Sequence, residues 1–250
     1  MGPGEPLAPR VRALAVTRAA PGFSQGAFAR CNLGMGVGDD PAAVEANRRE
    51  LEQVFGLPTA PCWLRQVHGC GVIAWDHPEA PAPGSEPEAD AAWTARPGVV
   101  LAILSADCVP VLLAERGGDL VAAAHAGWRG LACGVLEALV AALPVPPAAL
   151  VAWIGPAISA EGYEVGPEVR EALCAREPRL GVAFRANARG RFQLDLALAA
   201  ETALRAAGVG AVRHSRRFTD REPELFYSHR RDGPRTGRIA SLVWIETGAR

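Results

Sequence analysis

Short apolar runs alternate with helical patterns along the whole chain. The apolar runs have the length and composition of buried strands, and they predict strands at eight places: residues 11–17, 62–67, 72–75, 99–105, 109–114, 120–125, 150–154 and 239–245. Strands interleaved with helices in this way predict an α+β or mixed α/β fold. No internal repeat or convincing linker divides the chain, so we expect a single domain over residues 1–250, with residues 1–10 loosely ordered.

Four helices are predicted from apolar residues that recur three or four positions apart. The first begins after Asp40-Pro41, an N-cap followed by proline at the first helical position, and it ends at Gly56. A single helix is predicted over residues 128–143, because its leucines and valines form one stripe. Shorter helices are predicted at residues 167–175 and 195–207, and a Pro-, Glu- and Ala-rich surface loop at residues 77–89.

The composition is that of an ordinary globular protein. It bears on function mainly because it argues against some classes of protein. Hydrophobic residues make up 49% of the 250 residues, and the net charge of −1 gives no argument for binding nucleic acid or a membrane. No apolar run reaches the roughly 18 residues that span a bilayer, and no secretory signal is recognised. None of the six cysteines forms a C-x-x-C pair, so we expect reduced thiols and a cytoplasmic location.

Two of the five histidines end predicted strands and are followed by glycine-containing turns, where catalytic side chains are usually presented. His68 precedes Gly69, and His125 precedes Ala126-Gly127. Between them, Cys108 interrupts a strongly apolar stretch. One interpretation is that His68, Cys108 and His125 bind one zinc ion, because three protein ligands with a fourth position left for water or substrate are typical of catalytic zinc.

The same three residues allow two other interpretations, which their spacing does not separate. Cys108 could be a nucleophile activated by His125, in which case no metal is needed and His68 is a bystander or a donor on the oxyanion side. Alternatively, Cys108 is a buried thiol and the histidines are hydrogen-bonded structural residues. The role of His68 decides between the first two, because a Cys–His pair needs one histidine and a three-ligand site needs both.

Two glycine-containing segments precede predicted helices, where free backbone N–H groups favour anions. Arg129 follows Gly127 at the start of one helix and adds a bidentate donor, which indicates a phosphate or carboxylate site; an ordinary surface position for Arg129 is the alternative. The other segment, residues 32–40, lacks the G-x-G-x-x-G spacing. A dinucleotide cofactor is therefore not expected.

Taken together, the motifs of this chain resemble those of the peptidoglycan editing factor and purine nucleoside phosphorylase family, the YfiH-like proteins formerly described as laccase-domain or polyphenol oxidase proteins. The most specific are Ala106-Asp107-Cys108 and, after it, the His-Ala-Gly-Trp-Arg-Gly segment that begins at His125. The resemblance covers about residues 14–246. The other matching segments are residues 31–34, 37–41, 47–48, 63–69, 89–91, 153–158, 163–166, 226–232 and 236–238.

The resemblance implies a fold, an activity and a metal. The fold is a mixed α/β layered sandwich related to cysteine-hydrolase-like folds. The activity is phosphorolysis of adenosine, inosine, guanosine and methylthioadenosine, together with deamination of adenosine. His68, Cys108 and His125 take the metal-ligand and catalytic positions, with zinc as the expected metal and copper as the alternative. The partners are then a small-molecule nucleoside and phosphate, with no nucleic acid or membrane, and the chain is a monomer or weak homo-oligomer.

Further residues receive roles in the mechanism that follows from this resemblance. Arg48 and Arg129 are expected to hold phosphate, and Gln66 and Asn32 to make polar contacts with the substrate. Asp107 is expected to orient a ligand histidine or to cap a strand end. One departure from the family pattern is Phe218, where Cys is expected before Thr219.

Three alternatives to this activity remain open. A metal-independent Cys108–His125 amidase or hydrolase would act on peptidoglycan precursors. A scaffold that only stores metal would not be an enzyme. A copper-dependent polyphenol oxidase is the least favoured, because five histidines cannot supply the ligands of a multi-copper centre.

Overall fold

The computed structural model describes residues 1–77, 80–82 and 84–248. Twelve strands and six α-helices lie in these ranges. The strands are β1 Val11–Val16, β2 Val72–Ala74, β3 Ala91–Thr94, β4 Leu101–Ser105, β5 Val109–Glu115, β6 Val121–Ala126, β7 Leu150–Ile154, β8 Glu164–Val165, β9 Phe184–Ala186, β10 Phe192–Leu194, β11 Ala211–His214 and β12 Ile239–Ile245. The helices are α1 Pro41–Phe55, α2 Trp128–Cys133, α3 Val135–Ala142, α4 Pro167–Arg176, α5 Leu196–Ala206 and α6 His229–Asp232.

A six-stranded mixed sheet forms the centre of the fold, with the strand order β11-β7-β5-β6-β3-β2. Its central pair, β5 and β6, is antiparallel and places Pro110 opposite His125. The outer pairs β7–β11 and β2–β3 are parallel. A three-stranded antiparallel sheet, β1-β12-β4, and a small sheet, β8-β10-β9, complete the strand pairing among the described residues.

Both faces of the central sheet are buried. Val111 and Leu113 of β5 belong to the apolar core formed with α2, α3 and α5, whereas Leu112 packs in a second core shared with Ile103 and Val243 of the three-stranded sheet. Burial on both faces explains why β5 and β6 are apolar at successive positions rather than at alternate ones. The predicted α+β, mixed α/β layered sandwich is therefore confirmed.

The strand predicted at residues 62–67 is wrong, apart from an isolated bridge between Cys62 and Leu101 and another at Arg65. In this segment the side chain of Gln66 replaces the backbone pairing of a strand. Its Nε2 atom donates to the backbone carbonyl of Leu104, and its Oε1 atom accepts from the backbone amide of Leu104, both at 2.8 Å. Conversely, β3 was not predicted, because its two alanines have low strand propensity. Its pairing with β6 supplies what the local sequence lacks.

The predicted helix over residues 128–143 is two helices, α2 and α3, separated by Gly134. Gly134 has a φ of +88°, in the left-handed region that glycine adopts at little cost. Its amide donates to the carbonyls of Gly130 and Leu131, which closes α2 as a glycine C-cap does. The break separates α2, which begins directly after the turn that follows His125, from α3, which packs on the central sheet.

Residues outside these elements also take defined positions. Residues 1–10, expected to be loosely ordered, form no helix or strand; Leu7 and Ala8 are nevertheless buried, and the Met1 carbonyl accepts from the Ala15 amide. The described part of the predicted loop at residues 77–89 contains no helix or strand, and residues 78, 79 and 83 of that prediction lie outside the described residues. None of the helices that the structure describes has the length and hydropathy needed to cross a bilayer.

The split at Gly134 predicts whether Gly134→Ala stabilises or destabilises the protein. Within a continuous helix, Gly134→Ala would stabilise the protein by roughly 0.5–1 kcal/mol. We expect it instead to destabilise the protein by about 1–2 kcal/mol, because alanine at positive φ is strained. An added Cβ would also lie 2.4 Å from the Arg176 Nη2 atom. Urea denaturation measures the change, and Gly56→Ala, which is also left-handed with a φ of +59° and has no atom within 4 Å of an added Cβ, controls for backbone strain alone.

Candidate metal centre and its cavity

Three chain segments bring His68, Cys108 and His125 together. Cys108 immediately precedes β5, His125 lies near the end of β6, and His68 lies in the turn that follows residues 63–67. Their ligand atoms all lie within 4.8 Å of one another, and no other such group of three occurs among the described residues. The two imidazole rings meet edge to face with centroids 4.8 Å apart. The structure therefore brings together all three of the predicted metal ligands.

The carboxylate of Asp90 holds both histidines in place. Its Oδ1 atom lies 2.8 Å from His125 Nδ1 and accepts a hydrogen bond from the amide of His68 at 3.0 Å. Its Oδ2 atom accepts from the amides of Val67 and Gly69 at 3.0 and 2.7 Å. Asp90 is fully buried, just before β3. Because it occupies Nδ1 of His125, the remaining nitrogen Nε2 is the one left for a metal or for Cys108.

The charges of this cluster favour a thiolate. Burial raises the pKa of Cys108, but the positive charge of His125 and hydrogen bonds from both histidines outweigh it and lower the pKa to about 6. Burial likewise lowers the pKa of His125, but Cys108 and Asp90 raise it to about 9. In the absence of metal, Cys108 and His125 therefore form an ion pair at neutral pH. The thiolate is also the form in which cysteine binds metals.

The donor atoms fit a single zinc or copper ion. Two imidazole nitrogens and one thiolate form a three-ligand set, and all three side chains line the same cavity, so that a further position faces substrate. The hydrogen bond from His125 Nδ1 to a carboxylate is the usual support of a ligand histidine. Gly127 leaves room for this cluster, because an added Cβ would lie 2.8 Å from Cys108 Sγ.

The cavity beside the cluster has a volume of about 760 Å³. Of the residues assigned to substrate from the sequence, Arg48, Gln66 and Arg129 line it. Arg48 stacks on Trp63 and lies 3.5 Å from Glu86, so that its charge is already paired. Gln66 uses its amide group to hold the backbone of β4. Arg129 is exposed and lies over the ring of Trp128.

Asn32, expected to contact substrate, is fully buried and is not among the residues that line the cavity. Its side-chain oxygen accepts from the amides of Gly34 and Arg238, and its nitrogen donates to Asp39. These bonds fix Gly34 and Arg238, both of which line the cavity. In the structure Asn32 thus supports the cavity wall from behind.

Asp107 lines the cavity, but no hydrogen bond joins it to His68 or His125, and the carboxylate that contacts the His125 ring is that of Asp90. The Asp107 carboxylate accepts from Thr219 Oγ1 at 2.6 Å and from the amide of Arg230 at 2.7 Å. These bonds tie the Cys108 turn to the start of α6. The unusual Phe218 lies beside Thr219 and lines a separate cavity of about 280 Å³, which does not include the metal cluster.

The cavity is also lined by Tyr163, Arg230 and Arg238, to which the sequence assigns no role in the site. The guanidinium of Arg230 lies 4.9 Å from the centre of the Tyr163 ring. Burial raises the pKa of Tyr163 to about 12, with the negative charge of Cys108 adding to the effect, so its hydroxyl stays protonated at neutral pH. All three lie within motifs that carry the family resemblance, but nothing in their local sequence indicates a common cavity.

The fold and the site define a mixed α/β protein in which the described residues contain one cluster of three potential metal ligands, beside a cavity rich in arginine. The family model described as multi-copper polyphenol oxidoreductase laccase matches residues 12–246. The chain therefore belongs to this family, which includes the YfiH-like proteins.

Several relatives and solved structures cover nearly the whole chain. A purine nucleoside phosphorylase of Pseudomonas aeruginosa is 48% identical, over 98% of this chain and 97% of that protein. The purine nucleoside phosphorylase YfiH of Escherichia coli is 42% identical, over 90% of each chain. The crystal structure of a Neisseria meningitidis protein is similar with a TM-score of 0.89 at 44% identity, over 97% of this chain and 98% of that one. The crystal structure of YlmD from Geobacillus stearothermophilus has the same TM-score at 33% identity, and the match covers 98% of this chain and 95% of that one.

The four hydrogen bonds of Asp90 predict the effect of removing its charge. We expect Asp90→Asn to lower zinc affinity by about 10–100-fold, because His125 loses the carboxylate that orients it and raises its basicity. Competition with a chromophoric chelator measures the affinity, and circular dichroism checks the fold. Asp107→Asn is the matched control and should change zinc affinity less, because Asp107 contacts neither ligand ring. Unchanged zinc affinity in Asp90→Asn would contradict this account.

The charge state of Cys108 predicts how its reactivity depends on pH. In chelator-treated protein, the rate of alkylation by iodoacetamide should rise with pH through a midpoint near 6, because only the thiolate reacts and its pKa is lowered to about 6. Mass spectrometry of the Cys108 peptide isolates this rate from those of exposed Cys70 and Cys133. The variant Cys108→Ser supplies the background. A midpoint near the ordinary thiol value of about 8.5 would show that no such ion pair forms.

Proposed function

We propose that the protein is a zinc-dependent purine nucleoside phosphorylase that cleaves adenosine, inosine, guanosine and methylthioadenosine and that also deaminates adenosine. One observation carries the proposal: a three-ligand metal centre opens onto a cavity whose charged lining is mostly basic. Relatives named purine nucleoside phosphorylase support it. The free thiols of all six cysteines support a reducing, cytoplasmic setting, and we propose a monomer or weak homo-oligomer.

The charge of the cavity suits a neutral nucleoside together with phosphate. Its lining contains two carboxylates, Glu86 and Asp107, and five guanidinium groups, those of Arg48, Arg65, Arg129, Arg230 and Arg238. Even with Cys108 ionised, positive charge is in excess. Guanidinium groups bind phosphate oxygens through paired, charge-assisted hydrogen bonds, so the excess favours an anionic co-substrate.

Phosphorolysis forms a bond between a phosphate oxygen and C1′ of the ribose, and it breaks the bond between C1′ and the purine nitrogen. The base leaves with the bonding electrons and takes up a proton. The cavity arginines would hold the phosphate against C1′ and neutralise its charge. Tyr163 lines the same cavity and stays protonated at neutral pH, so its hydroxyl is available to donate a hydrogen bond to the departing base or to the ribose.

Deamination exchanges the 6-amino group of adenosine for an oxygen atom from water and releases ammonia. Zinc held by His68, Cys108 and His125 would supply a Lewis acid and lower the pKa of a water molecule. The protein's own part is to fix the ligands: Asp90 holds the His68 turn and the His125 ring, while Thr219 and Arg230 hold Asp107 beside Cys108. Both reactions then use one cavity with phosphate or water as the nucleophile.

A second candidate is a metal-independent hydrolase acting on peptidoglycan precursors. It is favoured by the Cys108–His125–Asp90 arrangement, in which a thiolate faces an imidazolium whose other nitrogen binds a carboxylate. Cysteine hydrolases use the same order of nucleophile, base and orienting group. In this alternative His68 serves only to donate to the thiolate.

Nucleoside turnover with and without phosphate tests the proposal directly. The purified protein is incubated with inosine or adenosine, and free base, ribose 1-phosphate and inosine are measured by chromatography and mass spectrometry. We expect base release only with phosphate, conversion of adenosine to inosine without it, and about one zinc ion per chain by elemental analysis. Full activity in a chelator, or no turnover of any purine nucleoside by zinc-loaded protein, would overturn the proposal.

The variant His68→Ala separates the two candidates. We expect it to be folded, zinc-poor and inactive toward nucleosides, because two protein ligands rarely retain zinc at working concentrations. A Cys108–His125 hydrolase would keep much of its activity. Exposed His77 offers the control His77→Ala, which should keep both zinc and turnover. Near wild-type cleavage of inosine by folded, zinc-free His68→Ala would make Cys108 the leading nucleophile.

A further inference from the structure

Arg238 differs from the other cavity arginines in how it is held. We propose that Arg238 is the fixed anchor of the phosphate subsite, and that it binds the anion beside the Cys108 turn. The identity of the anion rests on the proposed function, whereas the existence of an anion subsite does not. Neither Arg48 nor Arg129, the two residues expected from the sequence to bind phosphate, meets the same physical requirements.

The backbone and side chain of Arg238 are both fixed. Its amide donates to Asn32 Oδ1 at 2.8 Å, and its carbonyl accepts from the Leu33 amide at 3.0 Å. Its Nη1 atom donates to the carbonyls of Thr236 and Gly237 at 2.8 and 3.0 Å. A guanidinium held in this way has lost its rotamer freedom before any ligand arrives, so binding an anion costs little further ordering.

The charge of Arg238 has no carboxylate partner within 4.0 Å among the described residues, although the side chain is partly buried. Its Nε and Nη2 atoms likewise make no hydrogen bond within the described part of the chain. Burial lowers the pKa of Arg238, and the negative charges of Cys108 and Asp107 oppose this. Arg238 lines the cavity, and a partly buried cation with unused donors in such a place is completed by an anion.

The competing arginines lack one of these properties. Arg48 lies 3.5 Å from Glu86, and the Arg65 guanidinium is paired with Glu88. Arg129 and Arg230 have no carboxylate partner among the residues that the structure describes, but both are exposed and lie over aromatic rings. They are suited to the mouth of the cavity, where a charge attracts the anion without fixing it.

The strand register places Arg238 near the metal cluster. Ile239, the first residue of β12, pairs with Ser105, the last residue of β4. Asp107 and Cys108 follow Ser105 by two and three positions, which is why their charges act on Arg238. An anion on Nε and Nη2 would thus lie on the wall of the cavity beside Cys108.

A substitution at Gly34 can test the position of the Arg238 side chain without changing any charge. An alanine Cβ at residue 34 would lie 2.6 Å from Arg238 Cγ and 3.0 Å from its Cβ. The φ of Gly34 lies outside the left-handed region, so alanine is not excluded by backbone strain. Gly34→Ala should therefore displace the Arg238 side chain while keeping its guanidinium.

Direct binding of inorganic phosphate, measured by isothermal titration calorimetry on zinc-loaded protein without nucleoside, tests the proposal. Loss of a charge-assisted bidentate contact should weaken phosphate binding about tenfold or more in Arg238→Gln. Gly34→Ala should weaken it in the same direction. Arg238→Lys should bind with intermediate affinity, because lysine restores the charge but not the planar fork. Exposed Arg235 does not line the cavity, and Arg235→Gln controls for the change in net charge.

Kinetics separate this proposal from the proposed function. In phosphorolysis at saturating inosine, Arg238→Gln should raise the KM for phosphate about tenfold or more, whereas Arg235→Gln, outside the cavity, should leave that KM unchanged. If the wild type catalyses no phosphorolysis but Arg238→Gln still weakens phosphate binding, the proposed function fails and the anchor stands. Unchanged phosphate affinity in folded Arg238→Lys and Gly34→Ala would overturn the anchor, including the case in which Arg238→Gln does not fold.

Discussion

The Asp90 carboxylate is the point at which the two histidine-bearing segments are joined. The carboxylate accepts hydrogen bonds from the three backbone amides of residues 67–69, and it lies 2.8 Å from His125 Nδ1. The backbone carbonyl of Asp90 also accepts from the amide of His125. Burial raises the pKa of Asp90, but these hydrogen bonds outweigh it and hold the pKa below its usual value. One buried negative charge therefore sets the path of the His68 turn, the ring orientation of His125 and, through His125, the ionisation of Cys108.

This arrangement uses strained backbone, which must be stabilised elsewhere. His68 and Asp107 have φ values of +60° and +95°, and non-glycine residues in such conformations cost roughly 1–3 kcal/mol each. Asp90 fixes the first turn, and Thr219 with the Arg230 amide fixes the second. The apolar layers on both faces of the central sheet hold the strands from which these turns project. The ligand atoms are consequently held close together before a metal binds, which reduces the ordering that binding requires.

The sequence predicts the parts of this structure that depend on neighbouring residues. The central strand β5 is recognisable because burial on both faces makes its residues apolar in succession, and α1 because its cap and proline are local. The strand β3 is not recognisable, because Ala91 and Ala92 become a strand by pairing with β2 and β6, which their own sequence does not indicate. The site divides in the same way. Its three ligands were found from residue type and motif, whereas the role of Asp90 depends on a partner 35 positions away, which no local pattern reveals.

The number of potential metal sites bears on the multi-copper oxidase chemistry that the family description names. Multi-copper oxidases pass electrons between several copper ions, and each ion needs its own ligands. The described residues contain one three-ligand cluster, and the remaining histidines do not extend it: His214 binds Glu201, and His77 is exposed. His229 lines the cavity but is not part of the cluster. One cluster of potential ligands beside a surplus of guanidinium groups offers donors for a single metal ion and cations for an anion, which are the two elements that polar group transfer uses.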